Sequence, residues 1–531
     1  MQHMKNIIQV VSKMLLIAIL VCLCFTHNYA QNKNESLSNT LPVSTPEAEG
    51  VSSAGILKFL DAVDKGRNEL HSFVILRHGK IISKGWWSPY GKELKHVMFS
   101  VSKSFTSTGV GLAIAENKLK LTDRVVSFFP NSLPDTLSTY MKEMTVQDLL
   151  KMSTGMNADP LFNARGSSDW PKTFISSPVE NKPGSVFKYN NMATFMLSAI
   201  VQKATGEKLL DYLKPRLFDP LGIKNISWDE TPGGYTFGAI GLKIQSEDMA
   251  KFGQMLLQKG IWNGKQIVPQ SWVEEATSFQ IMSNAPENKT PKELNDWEQG
   301  YGYQFWRGRN KSYRADGLGG QFIIVLPEKD AVIVLTSAAT DTQEELNLVW
   351  DHLIPAMQDK PLPEDKKTSA ELSKRIAALS GMKTASPGPS VLLKKISGKR
   401  IEIVQNETGV KALGISFNNT DAQLQMERGE EKFEIKAGLE NWQFSQTRLN
   451  SLAGTPRAGQ SLPIQVASKY TWTDANTLEL TSRFVEESIR SEVWILRFEE
   501  IGTEIKVHIE VKVFVEFMGI QSRKLEGKIV N

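Results

Sequence analysis

Two rhythms of apolar residues divide this 531-residue chain. Up to about residue 357, solid apolar runs alternate with helical periods. Phe73-Val74-Ile75-Leu76-Arg77, the turn His78-Gly79-Lys80 and Ile81-Ile82-Ser83 predict a hairpin. Val101–Ala115, apolar with interspersed Gly and Ala, predicts a buried helix. Residues 145–155 read as helix up to Thr154-Gly155, and 156–188 as loop rich in Pro, Ser, Asn and Gly. Met192–Thr205 is periodic and stopped by Gly206, and Ser246–Gly260 is amphipathic. Tyr301–Trp306 predicts a strand. Gly317-Leu318-Gly319-Gly320, Phe322–Leu326, the turn 327–330 and Ala331–Thr336 predict a second hairpin, closed by a helix over Glu344–Met357.

Residues 358–392 break this pattern with charges, Pro361, Pro363 and Ser386-Pro387-Gly388-Pro389, which predicts a linker holding one short helix. Such a linker would leave the preceding part able to fold alone. Beyond it the period falls to two in Lys399–Val404, Val410–Phe417, Ala422–Glu427, Thr477–Arg483 and Glu504–Glu516. These predict a β-rich second domain, barrel- or sandwich-like.

Composition changes the picture mainly at the N-terminus. Lys5 and Lys13 precede an uncharged run, Met14–Phe25, of the length of a secretory signal core and shorter than the ~20 residues a spanning helix needs. Cleavage after Ala30 fits, although Asn28 is a poor match three residues earlier. The alternative is an uncleaved anchor. Both cysteines, Cys22 and Cys24, lie in this segment, so a processed chain has no disulfide, thiol nucleophile or cysteine metal site. Removing the segment lowers the formal charge from +4 to +2. No dense Lys/Arg run with interleaved aromatics points to nucleic acid. His71, His78, His96, His352 and His508 lack metal-ligand spacing. No Gly-x-Ser-x-Gly elbow is present, and Gly317-Leu318-Gly319-Gly320 does not open a helix as a phosphate loop would. No cofactor is expected.

The candidate chemistry is Ser100-Val101-Ser102-Lys103 with Tyr189-Asn190-Asn191. A serine and a lysine three apart share one helix face, so the amine can take the hydroxyl proton. A tyrosine and an asparagine two apart project to one side of an extended segment. Ser-x-x-Lys also occurs at Ser185/Lys188 and Ser380/Lys383, but only Ser100 sits where a helix start can present it. The bland alternatives are a capped helix start with a solvated lysine, and a merely packed Tyr189. Trp170 either lines the pocket or anchors its loop.

With Phe99–Lys103, Tyr189–Asn191, the glycine strand 316–320, Asp248–Gly253 and Ile267–Trp272 in this order, the chain resembles the serine β-lactamase and penicillin-binding family, in particular its class C and esterase-like branch. The resemblance implies an α+β fold: an antiparallel sheet flanked by helices, beside a helical subdomain. Its boundaries are 1–30 signal peptide, 47–358 hydrolase domain and 359–393 linker. Residues 394–531 resemble the lipocalin-like domain that follows some of these hydrolases. The N-terminal hairpin would pair with the late one.

The resemblance also implies roles: Ser100 nucleophile, Lys103 base, Tyr189 proton shuttle, Asn191 bonded to Lys103 and substrate. The oxyanion would meet backbone N–H groups of Ser100 and of the strand near Leu318. Lys103 would be neutralised by burial, with Phe99, Val101 and Phe105 as apolar cover. Where the family carries Lys-Thr-Gly, this chain has Ala315-Asp316-Gly317. Asp316 would repel a substrate carboxylate, which favours neutral esters, amides or amine-bearing substrates; alternatively it is a turn residue. The expected activity is that of an exported hydrolase acting on a small or peptide-like substrate, with no membrane span after cleavage. The rivals are a sensor on the same fold that acylates without turnover, and a β-lactamase or cell-wall peptidase.

Overall fold

The computed structural model describes residues 39–284, 290–381, 390–449, 463–515 and 519–530. The signal segment, the stretch 382–389 of the linker and Glu516 lie outside the described residues. The first part is built from α1 (Ser53–Lys65), β1 (Glu69–Arg77), β2 (Lys80–Trp86), α2 (Ser102–Ala115), α3 (Asn191–Thr205), α4 (Ser246–Leu257), β3 (Trp306–Arg307), β4 (Tyr313–Gly317), β5 (Gln321–Leu326), β6 (Ala331–Ala338), α5 (Thr342–Leu348) and α6 (Lys366–Leu379).

The strands form one antiparallel sheet in the order β2-β1-β6-β5-β4-β3. The two expected hairpins do pair: Phe73 faces Leu335 and Ile75 faces Ile333 across β1 and β6. The solid apolar runs follow from burial on both faces, because neither side of the pleat meets water. Phe73, Ile75, Phe322, Ile324, Ile333 and Leu335 point one way, into a core with Phe59 and Leu60 of α1 and the helical stretch after β6. α4 covers the opposite face, against β1, β5 and β6. The hairpin turn holds His78 at φ 50° and Gly79 at φ 74°, the paired left-handed residues of a tight two-residue connection.

Most of the described residues between β2 and β3, α4 apart, form the helical subdomain. α2 is buried from Ser102 to Ala113, so it reads as apolar with small residues all round rather than striped. Phe105 stacks on Phe252 of α4 at 3.9 Å between ring centroids, which ties the helix to the sheet layer. Phe105 is therefore committed away from Lys103. On another side a side chain at Gly111 would meet the Trp272 ring at 2.4 Å. This accounts for the Ile267–Trp272 segment: its indole closes on the helix. The residue 145–155 region is shorter than expected, a helix over Val146–Leu150 that ends before Met152, whose φ is 57°. Tyr301–Trp306 contributes only isolated bridges and the short β3.

The second part is a closed β-barrel. Its strands are β7 (Arg400–Ile403), β8 (Val410–Phe417), β9 (Asp421–Arg428), β10 (Glu431–Leu439), β11 (Gln443–Thr447), β12 (Ile464–Trp472), β13 (Thr477–Arg483), β14 (Ser491–Ile501), β15 (Glu504–Val515) and β16 (Gly519–Val530). The order is β10-β9-β8-β7-β16-β15-β14-β13-β12, and parallel pairing of Leu439 with Tyr470 closes the ring; β11 is appended to β12. Nine strands in a ring settle the barrel-or-sandwich alternative. The interior is packed with side chains, among them Leu413, Leu424, Ile435, Tyr470, Trp494 and Val511.

Pro42–Asn531 forms one compact unit, so the barrel is docked rather than tethered. Its segment 484–490 reaches into the first part. Lys243, almost fully buried, pairs with Asp229 at 2.7 Å and with Glu487 at 2.6 Å. Arg483 makes two hydrogen bonds to Glu69, and Glu486 accepts from the Lys95 amide. Tyr90 packs with Ala467 and Val485, and Val97 and Phe99 with Ile489. Removing the barrel would uncover both buried charge and apolar surface of the first part. The linker helix α6 packs on α1 and β2 rather than bridging open space.

Replacing Gly by Ala inside a helix ordinarily stabilises it by about 1 kcal/mol. At Gly111 we expect the opposite sign, because the added methyl collides with a rigid indole. Gly111→Ala should lose about 1–3 kcal/mol in urea unfolding, the usual cost of overpacking.

Candidate active site

Ser100 lies in a tight turn, Phe99–Val101, that runs directly into α2. Phe99 has φ 44°, a conformation that costs a bulky residue roughly 1–3 kcal/mol and persists only when its surroundings hold it. Two contacts hold it. The Met98 amide donates to the Leu242 carbonyl at 2.9 Å. On the other side β4 passes so close that a side chain at Gly317 would sit 2.4 Å from the Met98 carbonyl oxygen. Gly317 is therefore required for close approach, and it brings the strand end beside the serine turn.

One helical turn on, Lys103 is 1% exposed. Its Nζ donates to Ser100 Oγ at 3.0 Å, to Asn191 Oδ1 at 2.8 Å and to the Ala239 carbonyl at 2.9 Å. The Tyr189 ring covers the amine, with Nζ 5.0 Å from its centroid. Burial lowers the Lys103 pKa to about 7, opposed by the negative charges of Asp159 and Asp316. Cover for the amine thus includes Tyr189 and the Ala239 segment, while Phe99 packs with Val97 and Ile489 and Phe105 with Phe252.

Tyr189 is itself held by stacking on Trp306 at 5.7 Å, and its hydroxyl hydrogen-bonds Ser100. Burial pushes its pKa upward, so the phenol keeps its proton at neutral pH. Asn191 opens α3. Its backbone N–H and its Nδ2 both donate to Asp159 Oδ2 at 2.8 Å, which turns Oδ1 toward Lys103. Asn190 caps the helix, accepting from the Ala193 amide at 3.0 Å. Ser100, Lys103, Tyr189 and Asn191 thus converge. Ser185 Oγ instead donates to the Lys182 carbonyl. Trp170 is buried and donates to the Ser167 carbonyl, so it anchors its loop.

Asp316 lies in strand β4, not in a turn. Its Oδ2 accepts from Arg314 Nε at 2.9 Å. Residues two apart share a strand face, so this pairing follows from the alternation. Burial raises the Asp316 pKa and Arg314 opposes it. The carboxylate therefore faces Arg314, which offsets part of its charge, while it still acts on the Lys103 amine. After Gly317 the turn through Leu318 to Gly320 is pinned from behind. Ser337 Oγ donates to the Gly319 carbonyl at 2.6 Å, and Gln321 Nε2 to the Leu318 carbonyl at 3.0 Å. Glu345 of α5 lies directly beneath Gly320, and burial pushes its carboxyl toward the neutral form.

Comparison with known proteins now decides the family. The Beta-lactamase family model matches residues 62–355, more than half of the chain. The chain belongs to the beta-lactamase family. Among its relatives, a 6-aminohexanoate-dimer hydrolase of Paenarthrobacter ureafaciens is 25% identical over 294 residues, 51% of this chain and 73% of that one. A beta-lactamase of Escherichia coli (strain K12) is 24% identical over 222 residues, 36% of this chain and 57% of that one. The solved octameric penicillin-binding protein homologue from Pyrococcus abyssi aligns over 89% of this chain and 99% of its own at 15% identity, with a TM-score of 0.45.

In this serine hydrolase of the beta-lactamase family, sequence reading missed the residues that orient the central four. Asp159 lies in the 156–188 stretch, where nothing periodic marks it. Its signal is local only: an aspartate beside Pro160 and a short helix, Leu161–Ala164, whose Leu161 amide it accepts at 3.1 Å. Gln321 and Ser337 read as ordinary strand positions, because their work is to hold backbone carbonyls of the Leu318–Gly320 turn, and Glu345 reads as an ordinary helix position. Among the described residues no group of three or more His, Cys, Asp or Glu is placed to hold a metal ion.

Proposed function

We propose that this protein is an exported hydrolase that cleaves an ester or amide bond through an acyl-Ser100 intermediate. The observation that carries this reading is the buried Lys103 amine 3.0 Å from Ser100 Oγ, with its pKa lowered to about 7. A neutral amine accepts the hydroxyl proton as Oγ attacks the carbonyl carbon. The oxyanion that forms is met by the backbone N–H groups of Ser100 and Leu318. Tyr189, held neutral by burial, donates its proton to the leaving oxygen or nitrogen and is resupplied from the Lys103 ammonium. In deacylation, water loses a proton to Lys103 and attacks the ester carbon, and Ser100 recovers its proton.

Asp159 and Asp316 both lie close enough to act on Lys103, which disfavours an anionic group beside the nucleophile. Neutral esters, amides and substrates that carry an amine fit this field. One relative is a 6-aminohexanoate-dimer hydrolase, and amides of amino acids are the first substrates to screen.

Intact-mass analysis after a fluorophosphonate probe should show one adduct in the wild-type protein and none in Ser100→Ala, whose turnover should fall about 10⁴-fold or more. An adduct persisting in the variant would sink the mechanism. The base must be unprotonated, so the acylation rate should rise with pH through about 7 and level off above it. Asp159 holds the Lys103 pKa up, and Asp159→Asn should therefore move that limb to lower pH; a flat profile from pH 6 to 8 would remove Lys103 as the base. The charged and then apolar first 25 residues support the export reading. N-terminal sequencing of protein recovered outside the cytoplasm should begin at Gln31, and an intact Met1 would contradict a cleaved leader.

A further inference from the structure

The mechanism above uses nothing from the barrel, yet one barrel side chain lies against the turn that follows β4 and shares an apolar cluster with Phe99, the residue before the nucleophile. Ile489 is 1% exposed and clusters with Val97, Phe99 and Ala338, with Leu318 and the barrel's own Phe514 packed against the group. Its Cδ1 lies 2.3 Å from where a side chain on Gly319 would begin. Phe99 precedes the nucleophile and carries the left-handed backbone of the serine turn. Leu318 and Gly319 form the turn at the end of β4. Hydrogen bonds from Ser337 and Gln321 hold that turn, and Ile489 fills the space where a Gly319 side chain would be.

The segment that delivers Ile489 is itself fixed at several points. Arg483 and Glu487 are ion-paired to Glu69 and Lys243, and Glu486 accepts from the Lys95 amide one residue before β-paired His96-Val97. Of these, the Lys243–Glu487 pair is largely buried, so moving the segment would leave a buried ammonium short of a partner. We infer that Ile489 is a positioning residue of the hydrolase: the barrel sets the spacing between the Ser100 turn and the Leu318 turn, and the catalytic site is incomplete without it. This inference rests on the acyl-Ser100 reading.

The consequence is specific to the chemical step. An oxyanion donor displaced by about 1 Å costs on the order of 10²-fold in rate, whereas substrate contacts elsewhere are untouched. In the full-length protein, turnover of p-nitrophenyl acetate should fall about 10- to 100-fold in kcat for Ile489→Ala, with KM changed less than about threefold. Ile489→Val, which removes only Cδ1, should lie between it and the wild type. Leu424→Ala, which opens a cavity inside the barrel away from the interface, should keep wild-type kcat while lowering the melting temperature. Wild-type kcat in Ile489→Ala would overturn the inference. If that variant does not fold, wild-type kcat in Ile489→Val overturns it equally. An equal fall in kcat for Leu424→Ala would also overturn it, by showing that the barrel acts only through global stability. Activity that survives in Ser100→Ala would instead overturn the site reading, and this inference with it.

Discussion

A lysine amine taken out of water is the constraint around which this structure is arranged. Burying an unpaired ammonium is costly enough that the group either finds partners or gives up its proton. Lys103 sits at the balance point. Three oxygens accept from it, one from each of three separate segments: the serine turn, the start of α3 and the Ala239 stretch. Two carboxylates keep its charge from being lost altogether. The same desolvation acts on the phenol above it with opposite chemical effect, since burial disfavours the charged form of each. A base that gives up its proton near neutrality and an acid that keeps its own are thus consequences of one dry pocket.

Such a pocket needs backbones closer together than side chains normally allow. Gly317 lets a strand lie against the serine turn, and Gly111 lets an indole lie against the helix behind it. The strained Phe99 is the price of presenting Ser100 at the head of α2, and packing from both parts of the molecule keeps it there. Rigidity at the site is therefore drawn from long-range contacts and not from the local chain.

The local chain was nonetheless informative where chemistry and periodicity coincide. The lysine three residues after the serine is legible because helix geometry turns spacing into direction, whereas Tyr189 and Asn191 meet the site from the turn that opens α3 and not from a strand. The doubly buried strands are legible because both faces are apolar. Asp159 is not legible: its partners are the amides of residues 191 and 192 and the Asn191 side chain, and no spacing rule spans such a gap. Nor was Arg314 read as the partner of Asp316, although the two share a strand face. Half of the barrel strands went unrecognised. β16 is thinly apolar, with Leu525 its deeply buried side chain, and β11 carries a largely polar, exposed sequence, so neither shows a sharp alternation. The docking of Ile489 on Phe99 joins residues from opposite ends of the chain and leaves no pattern in either.

The order of strands has a consequence for how the protein is made. β1 is completed by β6, with Phe73 beside Leu335, and the barrel's first strand is completed by its last, with Ile401 beside Ile529. Each sheet is thus closed by a strand that leaves the ribosome long after its partner. At about 5–20 residues per second, the 262-position separation of Phe73 and Leu335 parts the two by tens of seconds. Throughout that interval the β1–β2 hairpin has an apolar edge with nothing to pair with, a state open to mispairing with other chains. A newly made chain of this design depends on being shielded until its final strands arrive, and a chain cut short by even one of them would lose a whole ring or sheet rather than a frayed end.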